Sequence, residues 1–301
     1  MHISVIIATK NRAHHLKECL NSIISSIANV PSVKAEIIVV NNNSSDETDL
    51  LLKNISAESS CPIIVLFEEK NGLSAAHNKA LSVAKGGLLV FTDDDCRMSV
   101  GYITDLLAHY EKDEAPVVRG GRIDLGDSAD LPLTVITRQE KILFSPRKNT
   151  ARNANIGDCI AGANMVVPKK LADRLGKFDE NFGSGSKIGA GNDIDYVMRS
   201  YLAGADIEYV PDMAVSHFHG RKTAKVGFNL LRTYMTGSGA LYAKYFFRHP
   251  DFCRPFYWDC KNAVREGTRN TFLPFIGFSH KHKVLYALKG FFLYWMLFRK
   301  P

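Results

Sequence analysis

The chain has 301 residues, 46% hydrophobic and 23% charged, which is long enough for one large α/β domain with a sizeable core and too apolar for disorder. Its net charge of +7 is unevenly spread: residues 221–301 carry 15 Lys and Arg against 3 Asp and Glu, a local +12, and the preceding 220 residues sum to −5. The six cysteines, at 19, 61, 96, 159, 253 and 260, show neither CxxC nor zinc-finger spacing, and no cationic-then-apolar leader is seen, so a reducing cytoplasm is expected, a Cys253–Cys260 pair in an oxidising compartment being the less favoured alternative.

From His2, HISVIIATKN reads as a short buried strand, and Leu16, Leu20, Ile23, Ile24 and Ile27 then recur at helical spacing. AEIIVVNNNSSDET, from Ala35, gives a second strand and an Asn/Ser/Asp cluster suited to a loop and helix cap. CPIIVLFEEKNG supplies a third strand, after which Ser74 is expected to cap a helix from Ala75 to Lys85 that stops at Gly86 and Gly87. LLVF, residues 88–91, is a fourth strand that delivers Asp93, Asp94 and Asp95. Gly120 to Asn155 shows no clear pattern, whereas GANMVVPKKL predicts a strand running into a helix near Pro168. A glycine and serine loop, GSGSKIGAG, precedes a helix whose apolar positions Ile194, Val197, Met198, Tyr201 and Leu202 run to Gly204. IEYV and MAVSHFH read as two further strands, the second placing His217 and His219 on one face.

Apolar strands alternating with helices predict an α/β fold with a mostly parallel central sheet and helices on both faces. Ligands in such sheets bind beyond the carboxyl ends of the strands. Thr9 to Arg12, Asn41 to Ser45, Glu69 to Gly72 and Asp93 to Asp95 all fall at that edge. Three adjacent carboxylates there repel one another and lose hydration, so a cation is expected among them; a solvated acidic loop is the plainer alternative.

Four stretches in order, VIIATKNR, EIIVVNNNSSDET, NGLSAAHNKAL with FTDDDC, and GNDIDYVMRSYLAGADIEYVPD, resemble family 2 glycosyltransferases, inverting nucleotide-sugar enzymes of the GT-A fold, over roughly residues 3–219. The resemblance implies an Asp-x-Asp motif at Asp93 and Asp95, with Asp95 on Mn²⁺ or Mg²⁺, Asp93 near the ribose and His217 a further metal ligand. It places Thr9, Asn11, Arg12, Asn41, Asn71, Gly72, His77 and Asp94 around a nucleotide diphosphate sugar, a UDP-sugar favoured, and makes Asp193 the catalytic base. Three positions depart from the family pattern: Asn41 where Asp is common, Asn192 for the Glu before the base, and His77 where Arg or Lys is frequent. They motivate a second reading, a catalytically silent nucleotide-sugar or glycan binding protein. No GxGxxG follows the first strand, which argues against a dinucleotide-dependent oxidoreductase.

Plainer roles stand beside several of these. Asp193 could simply cap its helix, Thr9 and Asn11 could only end a strand, Asn71 and Gly72 could form a turn, and His217 could be a structural histidine, with His219 an alternative ligand. Residues 1–220 are expected to be the catalytic domain, and 221–301 a helical extension holding both Trp residues and 19 of the 30 aromatic residues. Cations interleaved with rings suit nucleic acid, an anionic lipid surface, or plain packing with a basic outer face. The apolar character of VLYALKGFFLYWMLFRK favours the membrane, with no nucleic-acid partner. GFFLYWMLF is too short to span one. The expectation is a cytoplasmic, peripheral enzyme at the inner face of the cell membrane, acting on a glycan or lipid-linked acceptor.

Overall fold

The structure is a computed structural model that describes residues 2–147, 156–267 and 272–298. Its first half follows the apolar periodicity. β1 (His2–Thr9), α1 (Ala13–Ala28), β2 (Lys34–Asn41), α2 (Thr48–Glu58), β3 (Ile63–Phe67), α3 (Leu73–Leu81) and β4 (Leu88–Asp93) alternate, and β3, β2, β1 and β4 lie side by side, all parallel. Successive strand residues face opposite sides, and both sides are covered. Val5, Ile7, Val39 and Val90 pack under Leu16, Leu20 and Ile23 of α1 and Leu52 of α2. Ile6, Ile38, Val40, Leu89 and Phe91 pack against Ala76 and Ala80 of α3.

The second half breaks the parallel pattern. β5 (Cys96–Met98) and α4 (Tyr102–Tyr110) precede β6 (Val117–Leu125), β7 (Ile142–Phe144) and β8 (Asn164–Pro168). Then come α5 (Lys169–Leu175), α6 (Asn192–Leu202) and β9 (Asp206–His217). The sheet order is β3-β2-β1-β4-β8-β6-β9-β5, with β7 on β9; β8 runs antiparallel to both β4 and β6. Part of the patternless Gly120–Asn155 stretch is therefore sheet, and residues 148–155 of it lie outside the described residues.

Three expectations are corrected. Gly72, not Ser74, occupies the N-cap of α3; Ser74 sits inside the helix, buried, its Oγ donating to the Phe182 carbonyl at 2.7 Å. The helix also ends at Leu81, four residues before Lys85. IEYV and MAVSHFH are one strand, interrupted by a register shift opposite Gly121 and Arg122 where residues 211–213 are extra. At that bulge a Cβ on Gly121 would lie 1.8 Å from the Met213 carbonyl oxygen, and Asn164 Nδ2 bridges the carbonyls of Arg122 and Met213 at 3.0 and 2.9 Å. Because β9 stops at His217, His219 leaves the strand and turns its ring edge-on to that of His217, centroids 5.2 Å apart.

The C-terminal region is helical: α7 (Ala224–Tyr245), α8 (Arg254–Glu266) and α9 (His280–Phe298). α7 and α9 touch backbone to backbone. A Cβ on Gly239 would fall 1.8 Å from the Ala287 carbonyl oxygen, and one on Gly290 would fall 1.9 Å from that of Thr236. α7 is also fixed to α6. Ala240, Leu241 and Tyr245 pack on Met198, Phe182 and Ile188, and the fully buried Asp195 accepts from Tyr245 Oη at 2.8 Å and pairs with Lys244 Nζ at 2.7 Å and Arg199 Nε at 3.0 Å. No helix among the described residues is long and apolar enough to cross a membrane.

Candidate active site

The parallel strands bring their ends into register: Thr9 lies beside Asn41, and Ala8 beside Asp93. Beyond β4 the chain reverses through Asp94 and Asp95 into β5, which pairs antiparallel with the end of β9, so that Cys96 faces His217. That pairing carries a residue 122 positions away onto the acidic turn. His217 Nε2 stands 3.2 Å from Asp95 Oδ1. Donor atoms of Asp93, Asp95, Cys96 and His217 all lie within 4.8 Å of one another, so two carboxylates and an imidazole that could hold a metal meet at the sheet edge with a thiol beside them.

Asp94 is not in that set. Its buried carboxyl accepts from Thr9 Oγ1 at 2.7 Å and from Arg12 Nη1 at 3.4 Å, while the same Arg12 nitrogen pairs with Asp95. The electrostatics separate the three acids. Burial and the Asp95 charge push Asp93 up to about 6, and burial pushes Asp94 up to about 7 against the pull of Arg12 and Thr9. Asp95 is opposed by burial too, but the hydrogen bond and charge of His217, with those of Arg12, hold its carboxyl well below the usual range. His217 is raised in return: burial disfavours its charge and Asp95 more than restores it. Arg12 and His217 thus balance carboxylate charge where a divalent ion would otherwise do so.

The other residues expected from the sequence are placed as follows. Asp193 is the second residue of α6, whose N-cap is Gly191 at φ 91°, so the aspartate is not the cap. Its Oδ2 accepts from Gly162 N at 2.8 Å, and its charge helps to raise Asp93. Asn11, at φ 54°, ties the β1 loop to the β2 loop by accepting from Ser45 N at 2.7 Å. The Asn41 side chain is engaged at both ends, donating to Asp49 Oδ1 at 2.5 Å and accepting from Ser44 N at 2.9 Å. Asn71 accepts from Lys10, and Gly72 N donates to Asn42 Oδ1 at 2.8 Å. His77 is turned into the core, its ring 5.1 Å from Phe91 and 5.0 Å from Phe178, and burial lowers its pKa to about 4. It is a neutral packing group there.

Four further residues, Thr134, Asp130, Arg221 and Tyr234, gather at this edge with His219 and have no readable signal in the sequence. Thr134 Oγ1 lies 3.2 Å from His217 Nδ1, fixing the ring with Nε2 toward Asp95, and does so from φ 56°, a rare conformation for a β-branched residue. Nε2 of His219, Nη1 of Arg221 and Oδ1 of Asp130 are buried without a hydrogen-bond partner among the described residues. The charge of Arg221 bears on both His217 and His219. Tyr234, from α7, is 38% exposed as a whole, but desolvation of its hydroxyl raises the pKa, with Asp193, Asp93 and Asp95 adding to the rise and Arg221 opposing it. All lie in or after the unpatterned segment, where spacing says nothing about contact.

The sequence profile of Glycosyl transferase family 2 matches residues 4–175. This chain belongs to glycosyl transferase family 2. Glycosyltransferase AglE of Haloferax volcanii is 24% identical over 220 residues, covering 71% of this chain and 66% of that protein. Glycosyltransferase GlyA of Streptococcus pneumoniae is 30% identical over 126 residues, 42% of this chain and 17% of that one. The family 2 chain therefore spans less than two thirds of the length of these relatives. Among solved structures, S. aureus TarS 1–349 in complex with UDP-GlcNAc superposes with a TM-score of 0.59 at 18% identity, over 97% of this chain and 80% of that one. The mannosyltransferase PcManGT from Pyrobaculum calidifontis, in complex with GDP-Man and Mn²⁺, gives 0.57 at 16% identity, over 99% and 76%. The fold is that of GT-A glycosyltransferases, and the transferase names of these relatives lend no support to a silent binding protein.

Proposed function

We propose that this family 2 enzyme transfers a sugar from a nucleotide diphosphate donor to a hydroxyl of a growing glycan, inverting the anomeric carbon in one displacement. The observation that carries this reading is the convergence of Asp93, Asp95 and His217 in one donor set, with Asp193 electrostatically coupled to it. The acceptor oxygen attacks the anomeric carbon as the bond to the diphosphate oxygen breaks, and Asp193 takes the acceptor proton. Asp95, Asp93 and His217 would hold Mn²⁺ or Mg²⁺, and their chemistry fits either ion. When bound, such an ion neutralises charge developing on the leaving diphosphate. Arg221, with a buried Nη1 awaiting an acceptor, is suited to the same anion. Thr9, Asn11, Arg12, Asn41, Asn71, Gly72 and Asp94 frame the donor edge, and UDP-GlcNAc in the TarS complex supports a UDP-sugar ahead of the GDP-sugar of the second neighbour.

We assign residues 221–301 to an extension that holds the enzyme at the cytoplasmic face of a membrane carrying a lipid-linked acceptor. On α9 Leu285, Leu288, Phe292 and Met296 are exposed along one stripe, with Phe247 nearby through Trp295 and exposed Lys289 and Arg248 around it. The deciding experiment is Asp193→Asn. It should retain UDP and Mn²⁺ binding by thermal shift and lose transfer from a UDP-sugar; turnover equal to the wild type would refute Asp193 as base, and no nucleoside diphosphate shift in folded protein would refute the donor site.

A further inference from the structure

The donor reading of the metal set uses two carboxylates and an imidazole and leaves Cys96 without a task. Cys96 does not arrive there by accident of a loop: it is the cross-strand partner of His217, so both side chains issue from the same side of the β5 and β9 pair. Its sulfur lies within 4.8 Å of the other three donor atoms. The neighbouring thiol, Cys19, is turned elsewhere, donating to the Asp93 carbonyl at 3.4 Å.

Around Zn²⁺, with bonds of about 2.0–2.3 Å to N, O and S, tetrahedral donors stand about 3.4–3.7 Å apart, so the set must contract by roughly one ångström. Mn²⁺ and Mg²⁺ prefer oxygen and six-fold coordination, so Asp93, Asp95 and His217 leave positions free for diphosphate oxygens. A tetrahedral ion that also takes the thiolate has no position left. Resting on the metal-site reading above, we infer that Cys96 completes a closed four-donor site for Zn²⁺ or a similar thiophilic divalent ion, and that this occupant excludes the donor diphosphate and inhibits transfer. Binding converts the Cys96 thiol to thiolate and releases its proton to solvent, and Arg12 must yield Asp95. Since Zn²⁺ lies above Mn²⁺ in the general affinity order, the thiolate adds to an existing preference.

The test uses Co²⁺ as a coloured stand-in for Zn²⁺ on the full chain. A thiolate-to-Co²⁺ charge-transfer band should appear in the near ultraviolet, be abolished by Zn²⁺, and be lost in Cys96→Ser and Cys96→Ala but kept in Cys19→Ser. Zn²⁺ affinity should fall in the Cys96 variants at least as far as the roughly 10–100-fold that outer-shell changes cost, while Mn²⁺ affinity stays within about 2-fold, which also shows that they fold. Zn²⁺ should abolish the stabilisation of the wild type by UDP with Mn²⁺. Co²⁺ bound without a thiolate band, or unchanged Zn²⁺ affinity in the Cys96 variants, overturns the inference and leaves the Mn²⁺ site standing. Failure of every divalent ion to bind overturns both.

Discussion

Thr134 offers a test in which stability and metal binding part company. The residue holds φ 56° while its Oγ1 contacts His217 Nδ1 at 3.2 Å. A β-branched residue in the left-handed region costs about 1–3 kcal/mol. Thr134→Gly removes that strain but adds about 0.5–1 kcal/mol of unfolded-chain entropy and forfeits a hydrogen bond worth about 0.5–1.5 kcal/mol. The terms offset to within about 1 kcal/mol, a melting shift of no more than about 4 °C for a chain of this size. His217, by contrast, loses the group that orients its ring, a change that weakens metal binding by about 10–100-fold. Thermal melts paired with Mn²⁺ titration calorimetry would check both numbers, with Thr134→Ser, which keeps the hydroxyl, restoring affinity. Wild-type Mn²⁺ affinity in the glycine variant would refute the orienting role of Thr134.

The metal-free protein should lose stability as pH rises from about 4 to above 7. Asp93 and Asp94, with folded pKa values of about 6 and 7 above the usual 3.8, are stabilising when protonated, and the raised His217 contributes below its unfolded pKa and loses that contribution as pH climbs through its folded one. Asp95, shifted down, acts the other way only below about pH 4. Melts with and without Mn²⁺ from pH 5 to 8 should therefore diverge as pH increases, and parallel curves would contradict the assignment. Asp195→Ala removes the buried carboxylate shared by Tyr245, Lys244 and Arg199; the two cations are half-buried and keep Asp179 and the Leu175 and Lys177 carbonyls, so the change should cost about 1–3 kcal/mol by denaturant unfolding. Gly290→Ala drives a methyl toward the Thr236 carbonyl and should destabilise by about 1–3 kcal/mol, read as a lower melting temperature and earlier proteolytic release of α9.

What the sequence disclosed tracks how local the cause is. β1 to β4 are continuous apolar runs buried on both faces, and their polar ends fall where parallel pairing puts them, so Thr9, Asn41 and Asp93 could be grouped by position alone. The turn from β4 into β5 and the antiparallel return of β9 are tertiary facts. The family resemblance points to His217, which the structure brings beside Asp95, whereas Thr134, Asp130 and Arg221 approach this edge only because residues 126–135 fold back on the end of β9, through bonds such as Leu131 N to the Arg221 carbonyl at 2.8 Å. At His77 the motif and the packing point different ways. Its place in the motif suggested a ligand contact, yet α3 begins two residues earlier than Ser74 capping would allow, and the ring faces Phe91 and Phe178 in the core.

The two acids near the start of α6 stand only two residues apart, and a helix turns about 200° over that interval. Asp193 is therefore turned toward Gly162 and the cleft while Asp195 is clasped by Lys244 and Tyr245 of α7. One helical turn thus carries both the proposed base and the anchor of the C-terminal helices. A grip on α7 would therefore act on the turn that holds the proposed base. Any coupling of cleft and tail across that turn would have to be reciprocal, because a free-energy coupling has no preferred direction.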